Sequence, residues 1–175
     1  MISGYTPRGV LITLTPDELA NAKAVGDGRN AANRGVADKP YYDRDKMEDD
    51  ETASFAAAAG ECAVAKAFGV AWHAGVWPAA EHWRHAEEPD CGERIEVKRV
   101  RKPDNGLVVR EKDVALNRFV VLAYPLPEEG FRVVDVIGWI AATDGWAIGA
   151  DSGRGYKRVA QKYLHAVPSL EARNE

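Results

Sequence analysis

Apolar positions recur along this chain at two periods, and each predicts its own kind of element. The helical period comes first. Thr15-Pro16-Asp17-Glu18 offers an N-cap, a proline at the first helical position and the acid of a capping box. Leu19, Ala22 and Val25 follow at helical spacing, which predicts a helix over about 15–34, with Gly26 and Gly28 as the points where it weakens or breaks. Residues 35–50 are polar and read as a connecting loop; its acids, among them Asp43, Asp45, Glu48, Asp49 and Asp50, are solvated or favour the start of the next helix. From Glu51 to Phe68 the chain is rich in alanine, and Phe55, Ala58, Ala59, Cys62 and Ala65 trace one helical face. Gly69 fits the stop, and the small side chains predict close packing on a sheet. Glu61, one residue from Cys62, is expected at the rim of that face, in water.

The rest of the chain reads as strands. Val10 to Leu14 predicts a short one, and residues 70–86, with Trp72, Trp77, Pro78 and Trp83, one or two more. Arg94 to Val100 alternates apolar and polar side chains, the pattern of a strand with one buried face. A turn at Lys102-Pro103-Asp104-Asn105-Gly106 leads into Leu107-Val108-Val109. Arg118 to Tyr124 is almost continuously apolar, as in a strand buried on both faces, and Phe131 to Ala141 follows after a Pro/Gly turn. The tail, Tyr156 to Leu170, fits either an edge strand or a helix. Helix, helix, several strands and a mixed end predict an α/β (mixed α+β) domain with a central mixed β-sheet flanked by helices. One domain spans 1–175, with the helix at about 15–34, a core over about 50–142 and a C-terminal extension over about 143–175.

Composition sharpens this only in places. With 46% hydrophobic and 29% charged residues, the 175-residue chain has the profile of a soluble globular protein. It has no apolar run near the ~18 residues of a membrane span. The N-terminus lacks a basic start and an apolar core, and Cys62 and Cys91 make no disulfide framework, so the cytoplasm is the expected location and no membrane partner is expected. The net charge of −4 argues mildly against a nucleic-acid partner, but Lys98, Arg99, Arg101 and Lys102 crowd one short stretch, and local fields matter more to a polyanion than the total.

That basic stretch ends the segment with the most chemistry. In a strand, Glu96 and Lys98 share one face while Ile95 and Val97 turn to a core. Asp90 lies just before the Cys91-Gly92 turn, so a bend brings its carboxylate beside Glu96. Two carboxylates and an ammonium then meet. Magnesium takes hard oxygen ligands and keeps several waters; Asp90, Glu96 and the Val97 carbonyl supply three oxygens. Such an ion polarises a phosphoryl oxygen and acidifies a water, and Lys98 orients that water or stabilises developing charge.

Pro89-Asp90, a short gap and then Glu96-Val97-Lys98 resembles the PD-(D/E)XK nuclease superfamily. Gly60-Glu61 on an alanine-rich helix resembles that superfamily's upstream acid, and Gly138-Trp139-Ile140 its small single-domain members from bacteriophages. The similarity covers roughly residues 60–139. It implies a restriction-endonuclease-like core and a deoxyribonuclease using Mg2+ or Mn2+. Asp90 and Glu96 would be metal ligands, Lys98 the catalytic lysine, and Glu61 an auxiliary acid reaching the metal directly or through water. DNA would be the partner, with Arg99, Arg101 and Lys102 contacting its backbone. Cutting both strands implies two copies, and a phage origin implies the host cytoplasm.

Plainer readings stand beside this one. Glu96 and Lys98 also fit a solvated ion pair of about 0–1 kcal/mol, and Arg99, Arg101 and Lys102 fit ordinary solubilising charges. His82, His85 and Cys91 with Asp90 fit a zinc site, without the Cys-x-x-Cys that usually accompanies one. A non-catalytic nucleic-acid-binding or assembly protein on the same scaffold is the functional alternative.

Overall fold

The computed structural model describes residues 5–33, 49–78, 81–85 and 87–168. In chain order its main elements are β1 (Val10–Thr13), α1 (Pro16–Ala32), α2 (Asp50–Phe68), α3 (His82–His85), β2 (Ile95–Arg99), β3 (Leu107–Arg110), α4 (Glu111–Ala115), β4 (Phe119–Pro125), β5 (Val133–Ala141), α5 (Ala142–Ile148), β6 (Ala150–Asp151) and β7 (Tyr156–Val159).

The capping signal sets the start of α1. The Glu18 amide donates to Thr15 Oγ1, and the Thr15 amide donates to the Glu18 carboxylate. The helix runs through Gly26 rather than breaking there. A side chain at Gly26 would place its Cβ 2.6 Å from the Cα of Phe55, so the glycine marks a close approach of α1 to α2. Overpacking costs about 1–3 kcal/mol, more than the roughly 1 kcal/mol that alanine gains over glycine in helix propensity. Gly26→Ala is therefore expected to lower the urea midpoint. A midpoint at or above wild type would mean that the two helices separate without cost.

Asp49 caps α2 by accepting from the Thr52 amide at 2.8 Å, and Gly69 ends it in the left-handed conformation. The rest of the expected 35–50 loop lies outside the described residues. The alanines of α2 do what their size predicts. Ala58, Ala59 and Ala63 are buried with Val121, Ala123, Val134 and Val136 from the sheet beneath.

That sheet has the order β1-β5-β4-β2. Its β1–β5 and β4–β5 pairs are antiparallel and β2–β4 is parallel, so the mixed sheet is as the sequence predicts. A parallel pair needs a long connection. Here it carries β3 and α4. The ambiguous tail resolves into β7, which joins β3 and β6 in a second, three-stranded sheet. Leu107, Val109 and Val159 of that sheet pack with Val120, Leu122 and Ile140 on the face opposite α2. With a layer on either side, β4 has no polar face, which accounts for its unbroken apolar run.

Among the described residues of 70–86, the expected short strands do not form. Among the described residues this segment holds a single bridge, Trp72 to Cys91, and α3. Its polar groups go elsewhere: the Trp72 indole and the Gly75 carbonyl bond side chains of α2 and α1, and Pro78 has no amide to give. Among the described residues no helix is long and apolar enough to cross a membrane.

Among the described residues the most deeply buried acid lies in the sheet. Asp135 on β5 is fully buried and accepts from the Tyr5 hydroxyl at 2.7 Å and from the Arg8 and Gly9 amides at 2.7 and 2.9 Å. It ties the N-terminal segment to the sheet. Asp135→Ala strands those donors and is expected to cost about 2–3 kcal/mol. Equilibrium unfolding checks this, and a loss below about 0.5 kcal/mol, the level of an ordinary surface change, would count against the tie.

Candidate metal centre

The site forms along the free edge of β2. The Arg94 carbonyl accepts from the Phe119 amide and the Val100 amide donates to the Ala123 carbonyl, each at 2.9 Å. Even-numbered residues thus turn their backbone groups to β4, and Ile95 and Val97 turn theirs outward. The chain doubles back there. The Asp90 and Cys91 amides both donate to the Ile95 carbonyl, at 3.0 and 3.2 Å, and Gly92 holds a φ of +52° in the turn. The fold-back lays Asp90 beside Val97, whose amide donates to Asp90 Oδ2 at 2.8 Å. An extended residue points its N–H and C=O the same way. The Val97 carbonyl therefore shares the edge with Asp90.

Glu96 and Lys98 project on the face away from α2, over β4 positions Val120 and Leu122. Lys98 Nζ lies 2.7 Å from Glu96 Oε1 and 3.4 Å from Asp113 of α4. These side chains are 13%, 14% and 1% exposed in that order, so the pair is not a solvated one. Asp113 Oδ2 accepts the Arg110 amide at 2.9 Å, which fixes the carboxylate from below. Lys112 Nζ stands 3.8 Å from Glu96.

Glu61 is not at the rim. It is 7% exposed because α1 brings it a cation. Arg29 Nη1 and Nη2 donate to Glu61 Oε1 and Oε2 at 2.7 and 2.8 Å. Trp72 Nε1 adds a third bond at 3.0 Å, and Arg29 Nε is anchored on the Gly75 carbonyl at 2.8 Å. Burial works against the guanidinium's charge, but Glu61, and more weakly Asp90, hold its proton more firmly than usual.

The electrostatics of the two proposed ligands differ. Burial, then the charges of Glu61 and Glu96, push the Asp90 carboxyl up to about 7, against the Val97 amide and Lys98. Burial also opposes the charge on Glu96, yet Lys98, Lys112 and Arg118 hold its pKa below the ordinary carboxylate range. Among the described residues Lys98 and Arg29 act on Asp90 by charge, neither with a hydrogen bond to it, while Glu96 is paired directly with Lys98. Among the described residues no three His, Cys, Asp or Glu side chains form a ready metal cluster.

A pH dependence follows. Between its unfolded value of 3.8 and about 7, Asp90 keeps in the fold a proton that the unfolded chain releases. Its contribution is therefore fully present below the lower value and is lost as pH rises through the upper one. Without metal, wild type is expected to lose stability relative to Asp90→Asn over that window. Parallel pH–stability curves for the two would refute it.

Arg99 ends β2 on the Ile95–Val97 face, not the Glu96–Lys98 face, whereas Arg101 and Lys102 are exposed in the turn beyond. The zinc set is not assembled as expected. The Cys91 thiol donates to the Glu61 carbonyl at 3.3 Å, and His85 stacks on Trp77 and bonds Glu88. The His82 side chain lies outside the described residues.

Reading the sequence missed Arg29, Lys112, Asp113 and Arg118. Arg29 had a signal: it continues the Ala22, Val25 and Gly26 stripe of α1, and a cation on a packed stripe requires an acid partner. Asp113 had none, because only the fold of the crossover brings it to Lys98. Arg118, buried at the start of β4, donates to the Glu93 and Glu87 carbonyls.

Compared with family models, curated proteins and solved structures, the chain gives no match.

Proposed function

We propose that this chain is a magnesium-dependent deoxyribonuclease of the PD-(D/E)XK mould, with manganese as an alternative ion. The observation that carries this reading is the fold-back of Asp90 onto the Val97 amide, which puts a buried carboxylate on the free edge of the strand whose outer face carries Glu96 and Lys98. Asp90, Glu96 and the Val97 carbonyl would hold the ion, with Glu61, forked to Arg29, as an auxiliary acid acting through water rather than as a direct ligand. The ion, when bound, supplies polarisation of a phosphoryl oxygen and a more acidic water. Lys98 does the chain's own share. Glu96 and Asp113 fix its ammonium, which can orient the attacking water and stabilise charge on the phosphoryl oxygens. Arg101 and Lys102, exposed in the turn beyond β2, are the phosphate contacts that position the strand without reading its sequence, and Arg99, on the opposite face of β2, drops out of that role. A restriction-endonuclease-like core, a cytoplasmic location and two copies acting on a duplex belong to the same reading.

The test is a cleavage panel of linear, circular, single-stranded and junction DNA with magnesium or manganese, with chelator and Lys98→Ala controls. Cleavage of any form that both controls remove supports the proposal. DNA binding without cleavage of any form would replace it with a non-catalytic nucleic-acid-binding or assembly protein, a role that the buried mutual pairing of Glu96 and Lys98 also permits.

A further inference from the structure

We propose that Arg29 takes the place of a second cation, so that the site binds one divalent ion per chain and not two. This rests on the metal-site reading above. Two-ion phosphodiesterases hold their ions about 3.5–4 Å apart, and the second ion needs acids of its own. Beyond Asp90 and Glu96, Asp113 is held by Lys98 and the Arg110 amide, and the acid beside the Asp90 turn, Glu61, whose carbonyl accepts from the Cys91 thiol, is engaged. Both its oxygens accept from Arg29 in a parallel fork, and Oε2 also accepts from Trp72. Parallel forks of this kind are the strongest carboxylate pairings.

Arg29 is not an arm swung in from solvent. Its Nε is fixed on the Gly75 carbonyl, and the helix that carries it is pressed against α2 at Gly26. Its charge acts on Asp90 as well as on Glu61. An arginine stays protonated at any working pH, so a second ion would have to displace a buried, forked guanidinium. Arg29 is accordingly a positioning residue: it neutralises Glu61 and leaves Asp90 and Glu96 for a single ion.

The full chain titrated with Mn2+, with bound metal counted by paramagnetic resonance, tests this. Wild type is expected to bind one ion. Arg29→Gln removes the charge while leaving an amide for Glu61 to bond, and is expected to bind two. Arg29→Lys keeps the charge and is expected to bind one. Two ions on wild type would overturn the inference and leave the nuclease reading standing. No ion at all would overturn both. One ion on a folded Arg29→Gln, with unchanged affinity, would show that the guanidinium excludes nothing and overturn it too. The wild-type count decides even where Arg29→Gln does not fold.

Discussion

Lys98→Ala is expected to lower magnesium-dependent DNA cleavage by about 10²–10³-fold, the usual loss when one preorganised donor to a developing anion is removed. The fall should appear in kcat rather than in KM, because the ammonium acts on charge that develops in the transition state. Ion binding should persist, since the Val97 amide still holds Asp90 and Lys112 and Arg118 still favour the charge on Glu96. The fold bears some cost. Glu96 loses its partner at 2.7 Å and the 1%-exposed Asp113 loses its cation, so circular dichroism and a melting curve belong beside the kinetics. Asp90→Asn separates the roles. An asparagine oxygen can still accept from the Val97 amide, so the turn survives, but the charge that would bind metal is gone. Both metal binding and cleavage should then be lost. Normal turnover in Asp90→Asn would remove the assignment of the site, whatever Lys98→Ala does.

The part of this site that was legible in the sequence is the part encoded locally. Strand alternation fixes Ile95 and Val97 against Glu96 and Lys98, and a Cys-Gly turn is enough to return Asp90 to the strand it precedes. Capping chemistry fixes the start of α1, and small side chains fix the face of α2. What was not legible depends on distant packing. Glu61 looks like a rim residue as long as α1 is absent, because no rule internal to α2 supplies a buried cation. Asp113 reaches Lys98 only because the parallel β2–β4 pair forces the chain through a crossover that begins with β3 and α4. The same crossover explains the second sheet. β7 has too little pattern of its own to separate strand from helix, and its identity is decided by the open edge of β3. The stretch after α2 misled for a related reason: its tryptophans predict strands, but Trp72 and Gly75 spend their polar groups on Glu61 and Arg29.

Arg29→Ala is expected to cost about 3–5 kcal/mol of folding stability, the penalty for breaking a buried ion pair from one side. The size follows from what is left behind. Glu61, 7% exposed in the native fold, would keep the Trp72 indole as a donor but lose both guanidinium bonds, and the Gly75 carbonyl would lose the Arg29 Nε. Glu61→Gln should cost less, because an amide keeps one acceptor for the guanidinium and removes the uncompensated anion. Replacing both partners with apolar residues of similar size should recover much of the single-mutant loss, since buried pairs are often no better than well-packed hydrophobic contacts. Urea unfolding of the two single variants and the double variant gives the coupling directly. A coupling of at least about 2 kcal/mol is expected for groups in one hydrogen-bonded fork. A value near zero would mean that water, not Arg29, satisfies Glu61, and α1 would then be a packing helix with no part in the site.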